Sequence, residues 1–196
     1  MNKTGAHSNP PAAIIVLAAG AGTRMKSTKP KVLHQVAGMA LLDHVLAALA
    51  PLESAKTLVV VGHGKELVTE HLKQNHPKLE TAVQAEQLGT GHAVKVALDA
   101  LGKVSGPVLI LAGDTPLLTT DDMQNTILGL SGNAATVLTA HLADPTGYGR
   151  IVRDSNRGLD KIVEHKDATA EQLAITEVNS GVYAFDADLL RTALEN

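Results

Sequence analysis

The chain predicts an α/β fold, with a mostly parallel central sheet, helices on both faces and a mixed sheet in its second half. Three observations carry this. Short apolar runs alternate with longer stretches of helical spacing, the pattern of successive β-α-β units. The runs are nearly continuous Val, Ile and Leu, as expected of strands covered on both faces. From about residue 144 the spacing tightens into hairpin-like segments.

Residues 1–11, MNKTGAHSNPP, are polar, contain Gly and Pro and lack the apolar stretch of a secretory signal. They are expected to be a flexible leader to a single domain over residues 12–196. AAIIVLAAG (12–20) is the first strand, and LLDHVLAALAPL (41–52) has the 3.6-residue periodicity of a helix. TLVVVG (57–62) is a second strand and KELVTEHLKQN (65–75) a second helix. TAVQAE (81–86) reads as a strand, TGHAVKVALDALG (90–102) as a helix and PVLILAG (107–113) as a buried strand. After AATVLTAHL (134–142), GYGRIVRD (147–154) and LDKIVEHK (159–166) form a hairpin, and EVNSGVYAFD (177–186) is another strand. LLRTALEN (189–196) is helical without a Gly or Pro stop, so the domain is expected to be incomplete at its C-terminus.

Composition excludes several classes of function. With 17 Lys and Arg against 20 Asp and Glu, the net charge of -3 gives no bulk field for nucleic acid or membrane. Two Tyr, one Phe and no Trp leave little aromatic surface on which bases could stack. No apolar run approaches the roughly 20 residues of a membrane span, and a cytoplasmic protein is expected. The absence of Cys removes thiolate nucleophiles and zinc-thiolate sites. The 9 His include no H-E-x-x-H, and no G-x-S-x-G elbow occurs. His34, His44, His71 and His92 fall in or near helical patterns and are expected to be structural.

In a parallel sheet, ligands bind beyond the carboxyl ends of the strands, so the informative residues follow each apolar run. They are Gly20 to Arg24, then Gly62 to Gly64, then Gly113 to Thr115. The first turn is neither a Walker loop nor a dinucleotide fingerprint, because Met25 stands where the third glycine of G-x-G-x-x-G belongs. It is instead Gly20-x-Gly22-Thr-Arg24 followed by Lys29-Pro30-Lys31. Its backbone N–H groups can hold phosphate oxygens, and Arg24 and Lys31 can neutralise them. A tight turn beside a solvated basic loop accounts for these residues equally well. Asp114 offers a hard carboxylate suited to Mg2+, or an ordinary helix N-cap ahead of TPLLTTDDM. Gln84 and Gln87 in QAEQLGTGHA carry amides matching the edge of a uracil-like base, with Gly89-Thr90-Gly91 admitting close approach. A helix entry capped by Thr90 is the alternative. Glu164 and Asn179, with the Gly147-Tyr148-Gly149-Arg150 turn, could bond sugar hydroxyls or be surface turns.

Taken in order, LAAGAGTRMKSTKPKVL, QAEQLGTGHA, AGDTPLL, DPTGYGRI, IVEHKDAT and EVNSGVY resemble the uridyltransferase domain of bacterial bifunctional N-acetylglucosamine-1-phosphate uridyltransferase/glucosamine-1-phosphate acetyltransferase. The resemblance covers residues 12–196 and implies the Rossmann-like nucleotidyltransferase (nucleotide-diphospho-sugar transferase) fold. It implies uridylyl transfer from UTP to N-acetylglucosamine 1-phosphate with Mg2+, giving UDP-N-acetylglucosamine and pyrophosphate for cell-wall precursors. On this resemblance Leu17, Ala18, Ala19 and Gly20 line the nucleotide with Gly22, Ala112 and Gly113. Gln84, Gln87, Gly89 and Thr90 face the uridine, and Arg24 and Lys31 serve the phosphates as catalytic residues. Asp114 binds Mg2+, and Gly149, Glu164 and Asn179 hold the amino sugar. The family usually has an aromatic residue where Ala112 stands, and completes its metal site with an asparagine in a downstream segment not found here. Its acetyltransferase domain, which forms the homotrimer, is likewise not in this sequence. A nucleotide-binding module without turnover, a relative using another sugar phosphate or nucleotide, and an NAD-binding domain are the competing expectations.

Overall fold

A computed structural model describes residues 10–22 and 25–195. Among these residues no helix is long and apolar enough to cross a membrane. The chain forms two compact units, residues 1–136 with 183–196, and residues 137–182.

In the first unit β1 (Ala13–Ala18) lies between β4 (Thr57–Val61) and β6 (Pro107–Ala112), and β5 (Glu80–Val83) flanks β4. All of these pairs are parallel. The last residues of β10 (Glu177–Asp186) pair antiparallel with β6, Tyr183 opposite Ile110. Side chains alternate across each strand, so one face carries Ala13, Ile15, Leu58, Val60, Val108 and Ile110. Against them pack Ala93, Val94, Ala97, Leu98 and Leu101 of α3 (Thr90–Leu101) and Ala187 and Leu190 of α6 (Ala187–Glu195). The alternate residues Ile14, Val16, Val59, Val61, Leu109 and Leu111 are also buried. Here α2 (Lys65–Asn75) packs on β4 and α4 (Thr120–Leu128) on β6. Burial on both faces is why these strands read as continuous apolar runs.

The clearest departures from the expected elements lie in three places. The helix expected over 41–52 is α1 (Leu41–Leu49) followed by a 3-10 turn over Ala50–Leu52. Pro51 has no N–H to continue the α-helical ladder. The strand expected over 81–86 stops at Val83, and the chain leaves the sheet at the buried Gln84. Between Lys31 and Ala40 lie a 3-10 turn (Lys31–Leu33) and a two-stranded ladder of β2 (Gln35–Val36) and β3 (Met39–Ala40), none of which the periodicity signals.

In the second unit β8 (Arg150–Arg153) and β9 (Leu159–Val163) form the expected hairpin, with a register shift between Val152 and Arg153. The first part of β10 pairs with β8 through Val178 and Arg150. The Ser180 hydroxyl donates to the Leu138 carbonyl of β7 (Ala135–His141) at 2.6 Å. Short α5 (Ala170–Leu173) is closed by a Thr169–Gln172 capping box.

Candidate active site

From β1 the chain goes outward to β4 and β5 on one side, then returns to β6 on the other. The crevice beyond the carboxyl ends of β1 and β6 is therefore a topological switch point, where parallel sheets bind ligands. Leu17 and Ala112 are register partners there, and the Gly113 N–H donates to the Leu17 carbonyl at 2.9 Å. Two residues on, the Ala19 carbonyl accepts from the His63 N–H at 3.1 Å and from Gln87 Nε2 at 3.0 Å. One carbonyl thus ties the turns following β1, β4 and β5 together, beside the buried Ala18.

Beyond Gly20 the turn is closed by the Met25 N–H donating to the Gly22 carbonyl at 2.9 Å. Gly22 has φ +58, and a Cβ there would stand 2.9 Å from the Lys31 Cβ, so glycine is what lets the turn lie against Lys31. Pro30, with φ -51, leads into the 3-10 turn that begins at Lys31, and the buried Val32 and Leu33 anchor it. Lys31 Nζ sits 2.6 Å from Asp114 Oδ2. Asp114 is not a helix cap. The N-cap of α4 is Thr119, in a reciprocal capping box with Asp122. The alternative expected for Asp114 falls because the chain still has to pass Thr115–Leu118 before the helix starts, with Thr115 Oγ1 donating to the Ala112 carbonyl. Arg24 lies outside the described residues.

The loop after β5 is braced from inside. Gln84 Nε2 donates to the Gly89 carbonyl at 3.0 Å and lies 3.2 Å from His92 Nδ1. The N-cap of α3 is Gly89, with φ +97, and Thr90 is the first helical residue without a side-chain cap bond. The capping role considered for Thr90 is thus not the one observed. Both glutamine amide nitrogens donate within the protein, so here they shape the loop. His92, expected to be structural from its helical setting, has that role here, and its partner Gln84 is what the sequence did not signal.

The second unit brings its three expected residues together. A Cβ on Gly149 would lie 3.4 Å from Glu164 Oε1, 3.6 Å from the Asn179 Cβ and 3.2 Å from Ile162 Cγ2. The Asn179 N–H also donates to the Gly149 carbonyl at 2.9 Å. The Asn179 Oδ1 accepts from the Gly181 N–H at 3.0 Å, so backbone and the Glu164 carboxylate, with Asn179 alongside, form a polar cluster able to bond hydroxyls. Arg150, 1% exposed, lies directly behind it.

Among the described residues no group of three His, Asp or Glu side chains is placed to hold a metal. The single hard carboxylate of Asp114 fits a cation that takes its other ligands from substrate phosphates and water, the usual habit of Mg2+. The histidines expected to be structural are hydrogen-bonded: His34 to the Lys29 carbonyl, His44 to the Val36 carbonyl, and His71 to Asp43.

The family model for the MobA-like NTP transferase domain matches residues 14–174. The chain is similar to "Bifunctional protein GlmU" of Thermobifida fusca, 55% identical over 186 residues, which are 92% of this chain and 38% of the relative. It is 54% identical over 188 residues to the protein of that name from Streptomyces coelicolor, covering 94% of this chain and 39% of the relative. The chain thus spans about two-fifths of the length of these curated relatives. Among solved structures, HddC from Yersinia pseudotuberculosis is similar with TM-score 0.75 and 21% identity, covering 92% of this chain and 79% of that one. For 4-diphosphocytidyl-2C-methyl-D-erythritol synthase from Anaerococcus prevotii, the TM-score is 0.66 at 18% identity, over 95% and 74% of the two chains. Both likenesses concern the fold.

Proposed function

The chain belongs to the family of MobA-like NTP transferase domains, and from that premise we propose that it transfers the uridylyl group of UTP to N-acetylglucosamine 1-phosphate, giving UDP-N-acetylglucosamine and pyrophosphate in the cytoplasmic supply of cell-wall precursors. The observation that carries this reading is the meeting of Gly22, Lys31 and Asp114 at the switch point, Lys31 and Asp114 only 2.6 Å apart. Charge neutralisation and a cation ligand then stand in one crevice, which nucleotidyl transfer requires.

A sugar phosphate has its second pKa near 6 and is already an anionic nucleophile at neutral pH. Its phosphate oxygen forms a bond to the α-phosphorus of UTP as the α–β bridging P–O bond breaks, and the bridging oxygen leaves on pyrophosphate. No proton moves, so the protein has to position and neutralise rather than supply a base. Lys31 carries its ammonium to the triphosphate, and Arg24 adds a second cation on the same loop. Asp114 would hold Mg2+, which when bound supplies further neutralisation of the triphosphate. The Lys31–Asp114 pair keeps both charges balanced until a triphosphate and its cation compete for them. Gly149, Glu164 and Asn179 bind the amino sugar, and the Gln84–Gly89 loop with Leu17–Gly20, Ala112 and Gly113 walls the nucleotide.

Pyrophosphate release tests this. Mg2+-dependent release from UTP with N-acetylglucosamine 1-phosphate is expected, with no comparable release from CTP, dTTP or glucose 1-phosphate. UTP binding without release, or preference for another pair, overturns the assignment.

A further inference from the structure

Behind Gly149 lies the buried Arg150, which forms no salt bridge among the described residues, although its charge is felt by the Asp144 carboxylate. The Arg150 guanidinium is spent on the turn that precedes it: Nη1 donates to the Pro145 carbonyl at 2.7 Å and to the Tyr148 carbonyl. Nε is buried without a partner. Nη2 lies 3.5 Å from His165 Nδ1, and the same Nδ1 accepts from the Gly147 N–H at 3.3 Å. A backbone N–H can only donate, so Nδ1 must carry the lone pair and Nε2 the proton. The turn over 144–149 is therefore gripped from two sides. Arg150 holds its carbonyls and His165 holds one of its amides, immediately before Gly149 and immediately after Glu164.

We propose that Arg150 and His165 are positioning residues for the sugar-phosphate acceptor: they fix the 144–149 turn so that Gly149 and Glu164 meet the amino sugar, and the grip holds only while His165 Nδ1 is a hydrogen-bond acceptor. The proposal rests on the amino-sugar role given above to Gly149, Glu164 and Asn179. A proton on Nδ1 turns the acceptor into a donor facing an amide N–H and a buried guanidinium, so the ring has to leave and the turn is released. The charged groups around the ring are Arg150 from β8 and Asp144 from the turn, with Glu164, Lys166 and Asp167 beside it in the chain. The acceptor, not UTP, is the substrate whose binding then weakens on the acid side.

The test compares wild type, His165→Asn and His165→Leu over about pH 5.5 to 8, within the interval where imidazoles change charge. Asn places an amide oxygen near Nδ1 that accepts at every pH, and Leu removes the acceptor. Leu is expected to raise the KM for N-acetylglucosamine 1-phosphate about tenfold even at pH 8, as for one lost hydrogen bond. The KM for UTP and kcat should stay within about twofold. The acceptor's own phosphate titrates identically in all three proteins, so the acid-side rise in its KM should be steeper in wild type than in Asn. Arg150→Lys is expected to raise the same KM, and if that protein does not fold the two His165 variants decide. Identical pH profiles in wild type and Asn, or equal KM changes for both substrates in Leu, overturn the proposal. An amide NMR titration separates this from the activity assignment. Should wild type turn nothing over, a Gly147 resonance that titrates in wild type and stays put in Asn keeps the grip while the acceptor fails. A static Gly147 in wild type overturns the grip itself.

Discussion

Lys31 and Asp114 form a pair whose side chains are 37% and 25% exposed, so solvent screens their attraction. Their pairing contributes about 0–1 kcal/mol to stability. Lys31→Ala and Asp114→Ala are each expected to unfold within about 1 kcal/mol of wild type, yet to lower kcat at least a hundredfold, the scale of losing one transition-state charge partner. Urea melts beside a pyrophosphate assay check both, and near-normal rates in the two variants would remove them from the site. Gly149 is constrained from several directions at once. In Gly149→Ala the new methyl meets Ile162 and Glu164 at 3.2 and 3.4 Å, and the KM for the sugar phosphate is expected to rise severalfold with that for UTP unchanged. Steady-state kinetics with each substrate varied in turn would expose the opposite pattern. Lys31, Asp114 and Gly149 were legible as candidates because each stands at a strand end or in or beside a glycine turn. Their partners were not, since a pair such as Lys31–Asp114 is 83 positions apart and only folding makes it adjacent.

Among the elements, those with long periodic patterns were legible to the residue: α2 over Lys65–Asn75 and β10 over Glu177–Asp186. Val68 and Leu72 are buried one turn apart in α2, and Val182 and Ala184 alternate in β10, and those spacings are written in the sequence. Shorter elements lack them. The start of α4 nevertheless carried a local signal, Thr119-x-x-Asp122 ahead of the buried Met123 and Ile127. Asp122 is held below the usual carboxylate range by its hydrogen bonds with the Thr119 side chain and backbone. Thr119→Ala removes the cap and is expected to cost about 1 kcal/mol in a denaturant melt with activity retained; no change would mean that packing alone holds this helix. α1 and α2 are tied by chemistry that the sequence does not announce. Asp43 Oδ1 accepts from His71 Nε2 at 2.8 Å and from His76 Nε2 at 2.9 Å. Burial pushes the Asp43 carboxyl up, but those two bonds and the imidazole charges together hold it below its ordinary value.

At the scale of the whole molecule these carboxylates set the response to acid. Glu177, in the second unit, accepts from Arg153 Nε at 2.8 Å and from the Thr139 hydroxyl at 2.8 Å. The Arg153 bonds, outweighing burial, hold its pKa at about 2. A depressed carboxylate contributes stability above its unfolded value near 4.5, and that contribution is lost as the pH falls toward about 2. With Arg153 40% exposed, the contribution is on the order of 1–2 kcal/mol after screening. Urea melts at pH 6 and pH 3, the latter inside that window, are expected to show wild type losing roughly half of that contribution more than Glu177→Gln; parallel losses would mean that the pair does not govern acid stability. Sequence by itself determined the α/β class, the order of the main strands and helices, and which residues stand at strand ends, because side-chain periodicity and turn chemistry are local properties. Only the tertiary structure decided which of those ends share a crevice: strand order puts β6 beside β1, bringing Asp114 to Lys31, and the pairing of β8 with β10 brings Gly149 to Asn179. It also engaged the Gln84 and Gln87 amides as braces of their own loop and set Arg150 behind the cluster of Gly149, Glu164 and Asn179. Whether a polar side chain faces a ligand or its own backbone depends on contacts between distant segments, and no local pattern encodes them.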